Sequence, residues 1–157
     1  MAENKATIIL LSGEFDKVFA AFSLAIASAA AGLDTTIFFT FWGVKSIQKG
    51  NLTGTGLFGK MLGVLNRGGI RRLDPSHFSF FGIGRWMFKK MMKDKKVASM
   101  EELRQTCIDL GVHFLACKMS MDVMEIKRED LIDEVEDVVG AATAVGNAAE
   151  SKVQFFI

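Results

Sequence analysis

Apolar residues along this chain follow two alternating patterns. Short, nearly unbroken runs recur: Ala6-Thr-Ile-Ile-Leu-Leu11, Asp34-Thr-Thr-Ile-Phe-Phe-Thr-Phe41, Val112-His-Phe-Leu-Ala116 and Val153-Gln-Phe-Phe-Ile157. Runs of this length without a clear polar face predict strands buried on both sides. Between them the apolar residues fall at helical spacing. Glu14 to Ala31 places Phe15, Val18, Phe19, Phe22, Ile26 and Ala29 on one face, and Gly32 stops it. Glu14 and Asp16 suit the positive end of that helix dipole. A short helix is expected over 44–49. Ser99-Met-Glu-Glu102 has the Ser-x-x-Glu form of a capping box and opens a helix to Leu110, with Leu103, Cys107 and Leu110 as its stripe. Further helices are expected from Lys118 to about Ile126, from Arg128 to Asp137 and from Gly140 to Ser151. Strand and helix alternate, which predicts an α/β domain of three layers. Its mostly parallel sheet would carry helices on both faces. In such sheets chemistry sits beyond the carboxyl ends of the strands. Here those ends are Ser12-Gly13, Phe41-Trp42-Gly43 and Cys117.

The pattern breaks between Lys49 and Lys96. This stretch holds nine of the 15 glycines and the single proline, Pro75. It also holds eleven of the 19 Lys and Arg but two of the 18 Asp and Glu. The net charge of +1 therefore conceals a basic insert, 49–96, within an otherwise acidic body. Two segments of the insert have amphipathic character. One is Leu57 to Leu65; the other is Phe78 to Met92, followed by Lys93, Lys95 and Lys96. A lid or oligomer contact, a partner or membrane surface, and nucleic acid are the three readings of such a segment, nucleic acid the weakest.

Composition narrows the class. At 157 residues, half of them hydrophobic, the chain is one domain, 1–157, with enough apolar surface to fold. Two cysteines exclude a disulfide scaffold and a four-cysteine zinc site. The longest uncharged run, Val18 to Leu33, has 16 residues. That is short of the roughly 20 needed to span a bilayer. Met1-Ala-Glu-Asn-Lys5 does not resemble the start of a signal peptide, so a cytoplasmic, reducing compartment is expected.

Cys117 is the leading candidate for chemistry. It closes a predicted strand just before a helix, with Lys118 beside it. Free N–H groups at a helix start favour thiolate over thiol. The alternative is a small buried hydrophobe. Cys107 shares the core-facing stripe with Leu103 and Leu110 and reads as structural. The two are ten residues apart, not a Cys-x-x-Cys pair, so Cys117 lacks an evident resolving partner. A lone nucleophile suits transfer between proteins. His113, four residues before Cys117, would lie roughly 13 Å away along a strand and cannot share a hydrogen bond with it. His77 lies in the insert. Met119, Met121 and Met124 follow the cysteine and read as packing in preference to a copper site. Gly54-Thr-Gly56-Leu-Phe-Gly59 matches G-x-G-x-x-G as a string, but no strand precedes it, so neither a nucleotide nor any other cofactor is expected.

The run Ala116-Cys-Lys-Met-Ser-Met-Asp-Val-Met124, after Gly111-Val112, resembles the DsrE/DsrF-like sulfur-carrier family, in its subgroup with a long central insert. Phe39-Thr-Phe-Trp-Gly43, Met91-Met92-Lys93 and the Ser99, Glu101, Glu102, Leu103 helix start are similar to that subgroup too. Glu125 departs from it, standing where glycine is the expected residue. The resemblance implies a flavodoxin-like subunit that assembles into oligomers, a trimer or hexamer among them. It also implies a persulfide carried on Cys117 between donor and acceptor proteins. Backbone N–H groups of Lys118, Met119 and Ser120 would then stabilise the anion, and Gly13, Trp42 and Gly43 would shape the pocket. A thiol redox role and a non-enzymatic docking role, at the membrane through 49–96, remain the rivals.

Overall fold

In the computed structural model, which describes residues 3–157, five strands form one all-parallel sheet in the order β4-β3-β2-β1-β5. They are β1 (Glu3–Leu10), β2 (Asp34–Phe39), β3 (His113–Cys117), β4 (Asp137–Val139) and β5 (Ser151–Phe156). The helices are α1 (Phe15–Ala30), α2 (Leu57–Leu65), α3 (Ile83–Asp94), α4 (Met100–Asp109), α5 (Lys118–Val123) and α6 (Ala141–Glu150). The expected α/β architecture is the one observed.

The chain steps one way from β1 to β4 and then returns past β1 to β5. Right-handed crossovers put helices made on the outward steps on one face and the helix of the return step on the other. Accordingly α1 and α4 pack together over one face, and α6 lies against β1 and β5 on the other. Alternation along each strand sorts the side chains. Ile8 and Leu10, Ile37 and Phe39, and Phe114 and Ala116 point into the main core beneath α1 and α4. There Phe39 meets Phe114 edge-on at 5.2 Å, and Phe22 of α1 stacks on Phe114 at 6.3 Å. The opposite face holds a smaller cluster of Phe38, Cys117 and Ala144, flanked by Ile9, Leu115 and Val139. One ten-residue helix covers this face, so it is the thinner of the two layers.

Local signals explain most boundaries. Ser99 and Glu102 form both halves of the capping box that starts α4. Gly32 and Gly111, both at positive φ, end the turns after α1 and α4. The expected helix over 128–137 is absent. A single 3-10 turn, Arg128–Asp130, is followed by extended chain and then β4, a fifth strand that the hydrophobic pattern did not announce. The cause is visible. The Arg128 guanidinium donates to the carbonyls of Ile132, Asp133 and Val135, and Ile132 N–H donates to Ile47 O at 2.9 Å. These contacts take up groups a helix would need. Leu131, Ile132 and Val135 are buried at a spacing that imitates a helix.

Within 49–96, Ile70 and Leu73 reach the main core, and Phe88 of α3 lies 6.2 Å from Phe15 of α1. Leu62 and Met92 also pack against that core, and Gly59, Gly63, Gly68, Gly69, Pro75 and Gly84 are buried, while most of the other side chains of the segment are exposed.

Candidate functional site

All five strands run the same way, so the ends of β1, β2 and β3 meet on one edge. The chain bonds them together there. Thr40 N–H donates to Leu10 O at 2.9 Å, and Gly43 N–H donates to Leu11 O at 3.0 Å. The approach is close enough to require glycine. A Cβ on Gly43 would lie 2.1 Å from Leu10 O, and one on Gly13 would lie 2.4 Å from Trp42 O. These two glycines let the loops after β1 and β2 lie directly on each other.

Cys117 is the last residue of β3 and is 5% exposed. Thr40 follows the end of β2, whose Phe39 pairs with Ala116, so its side chain arrives beside the cysteine. Ser120, in the first turn of α5, is buried too. Its Oγ lies 3.1 Å from Thr40 Oγ1 and accepts the Phe41 N–H at 2.8 Å. Burial by itself raises the Cys117 pKa. Hydrogen bonds from the Ser120 hydroxyl, the Ser120 N–H, the Thr40 hydroxyl and the Met119 N–H work the other way and leave it below the ordinary thiol value. Phe41, at φ +46, and Trp42 form an exposed edge-on pair at 5.3 Å beside this point. Met119, two residues after Cys117, is exposed as well.

The other residues singled out from sequence divide clearly. Lys118 turns its ammonium to Asp122, one helical turn on, instead of to the thiol. Gly13 and Trp42 line a neighbouring polar cavity of about 350 Å³ with Glu14, Lys45 and Asp74; Cys117 is not part of its wall. Cys107 is fully buried, its Sγ 3.6 Å from Phe22 O, and desolvation pushes its pKa up to about 12. His113 sits at the opposite end of β3, held by Glu136 at 2.6 Å and Asp34 at 3.0 Å. His77 lines an apolar cavity between α1 and the insert. Met121 and Met124 are core residues and Met119 is exposed, so the three thioethers serve different surroundings. Among the described residues no group of three or more His, Cys, Asp or Glu could hold a metal ion.

The glycine-rich loop has an occupant from its own chain. The Glu125 carboxylate accepts the N–H groups of Thr55 and Gly56 and the Thr55 hydroxyl. It fills the place an anionic ligand would take.

Sequence reasoning named the Ser120 N–H but missed two hydroxyls, those of Thr40 and Ser120. Thr40 gave no usable signal: it ends a predicted strand, but that this strand neighbours the cysteine strand comes only from the sheet order.

A buried thiol that two hydroxyls and two amides hold below its ordinary value thus lies at the carboxyl edge of a five-stranded parallel α/β sheet. The chain belongs to the DsrE/DsrF/DrsH-like family, whose model matches residues 2–156. An uncharacterized protein of Bacillus subtilis, YrkE, is 34% identical over 156 residues, covering 98% of this chain and 97% of the relative. The sulfur carrier protein DsrE2 of Allochromatium vinosum is 34% identical over 162 residues, covering all of both chains. The crystal structure of the ychN protein from E. coli shares the fold, with a TM-score of 0.58, 14% identity, and coverage of 98% of this chain and 99% of that one. Among the described residues no helix is long and apolar enough to cross a membrane.

Proposed function

We propose that this protein relays sulfane sulfur as a persulfide on Cys117. The observation that carries the reading is the donor set around a thiol that burial alone would have kept protonated. The Cys117 thiolate attacks the outer sulfur of a donor persulfide, R–S–SH. The new S–S bond forms as the donor's S–S bond breaks, and the donor leaves as its thiolate. Cys117 then holds –S–SH. An acceptor thiolate attacks that outer sulfur, and Cys117 leaves as thiolate, restoring the start. No external oxidant or reductant enters the cycle. Ser120, Thr40 and the Met119 N–H stabilise the negative sulfur at both ends of the cycle. The similarity to a sulfur carrier protein of Allochromatium vinosum supports the same reading.

Cys117 is nearly covered, so donor and acceptor must dock closely. Phe41, Trp42 and Met119 offer exposed apolar contact beside it, while Gly13 and Gly43 keep the loop edge thin enough for approach. A cytoplasmic, oligomeric protein is the setting proposed for this relay.

Intact-mass analysis after incubation with a sulfane-sulfur donor tests the proposal. The expected result is a gain of one sulfur, reversed by thiol and absent in Cys117→Ala. Equal sulfur gain by Cys117→Ala, or none by the native protein, overturns it.

A further inference from the structure

Helix α2 is packed the reverse of an ordinary surface helix. Its buried residues are Gly59 and Gly63. Leu57, Phe58, Met61, Val64 and Leu65 point outward and are 51–80% exposed. Leu62 packs inward against the main core, but at the two glycines there is no room for a larger side chain. A Cβ on Gly63 would lie 2.2 Å from Thr53 O, and one on Gly59 would lie 2.2 Å from a Glu125 carboxylate oxygen. The apolar stripe therefore faces out by construction; α2 cannot roll to bury it. Helix α3 repeats the theme. Gly84, Phe88 and Met92 face the body, whereas Ile83, Trp86 and Met91 are 51–66% exposed. Before α3, Phe78, Phe80 and Phe81 hold positive φ and are exposed, Phe81 completely. Exposed apolar groups in this number mark a contact surface.

Charge identifies the occupant. Residues 57–96 have ten basic residues and two acidic ones, and both acids already face basic neighbours: Asp74 lies near Arg85 and Asp94 near Lys90. Exposed Lys60, Lys89, Lys93, Lys95 and Lys96 are left around the apolar stripes. Apolar side chains on short helices, ringed by lysine, fit the headgroup boundary of an anionic bilayer. At nine and twelve residues, α2 and α3 are too short to span one but long enough to lie in its surface.

We propose that residues 57–96 form an interfacial anchor that seats the protein on an anionic lipid bilayer. The anchor is joined to the thiol side of the molecule. Glu125, just past α5, holds the start of α2 through the Thr55 and Gly56 amides. The proposal is independent of the sulfur reading.

Flotation of the full chain with lipid vesicles tests it. The expected result is flotation with phosphatidylcholine vesicles containing phosphatidylglycerol and none with phosphatidylcholine alone. Added salt should weaken binding. Each Lys→Ser change at Lys60, Lys93 or Lys96 should lower partitioning by roughly fivefold. The pair Leu57→Glu and Phe58→Glu, and separately Trp86→Glu, should abolish flotation while circular dichroism and the urea midpoint stay native. Three results overturn the proposal. One is failure to float on anionic vesicles. Another is equal flotation on neutral ones. The third is conversion of an oligomer to a monomer by Leu57→Glu and Phe58→Glu without any vesicle binding by the native protein, which assigns the surface to a second copy of this chain.

Discussion

At the scale of single residues, Ser120 has two jobs on one oxygen. It accepts the Phe41 N–H and, with Thr40, supplies the hydroxyl hydrogen bonds that lower the Cys117 pKa. Ser120→Ala removes both and leaves the part-buried Phe41 amide without its acceptor. Alkylation of Cys117, followed against pH, should shift its midpoint upward, and the rate at neutral pH should fall roughly tenfold or more, as expected for a lost hydrogen bond to a charged group. Cys107, raised to about 12 by burial, should stay unmodified throughout. Glycines make a second test. Gly43→Ala pushes a methyl against Leu10 O and should cost about 1–3 kcal/mol in a urea melt, as overpacking does. Gly146, inside α6, has nothing within 4 Å of its Cβ position. Gly146→Ala should instead stabilise by up to about 1 kcal/mol through helix propensity. Cys117 was legible from its place after a strand and before a helix. The Thr40 hydroxyl was not, because strand neighbours come from the sheet order, which the sequence pattern does not print.

At the scale of elements, the pattern was most readable where burial and caps agreed. Leu57–Leu65 was recognised at its true ends, and α4 starts at its capping box. It failed over 128–137, where Arg128 ties up backbone carbonyls and β4 has three residues, too few for a period. It left open, between a lid and a docking surface, which way the Leu57–Leu65 stripe faces. Apolar periodicity says that one face differs from the other, not which is buried. What fixes α2 is Glu125, which sits at φ +51 where the family pattern suggested glycine. Glu125→Gly relieves the backbone while deleting the carboxylate. Amide hydrogen exchange should speed up in 55–65 and stay native in the sheet. Acid should act alike. The N–H groups of Gly56 and Thr55 hold the Glu125 carboxyl below its usual range. Its contribution is present above the unfolded carboxyl pKa and is lost as pH falls through the lowered folded value. Loosening of α2 at low pH, unchanged in Glu125→Gly, is the expected signature.

At the scale of the whole molecule, the sheet's two ends have opposite chemistry. The carboxyl edge carries the thiol. The amino edge is stitched by His113, whose ring joins Glu136 just before β4 and Asp34 at the start of β2. Three strands thus meet at one imidazole. The Glu136 hydrogen bond, then the nearby charges of Glu136 and Asp34, raise its pKa against a desolvation penalty that opposes them. The sign follows from linkage. A raised folded pKa means the native state binds the proton more tightly than the unfolded chain does. The stabilisation is complete below the unfolded histidine value of about 6.5 and fades as pH rises through the higher folded value. Because His113 is partly exposed, solvent and salt reduce the effect. β4 is the shortest strand and lies at the sheet edge, so it should be the first to feel the loss. Urea midpoints should therefore fall from mildly acidic to mildly alkaline pH, and the drop should flatten in His113→Gln. Hydrogen exchange at Val138 and Val139 should quicken over the same interval, while β1, an interior strand between β2 and β5, stays protected. If His113→Gln keeps the full pH dependence, the imidazole is not its source.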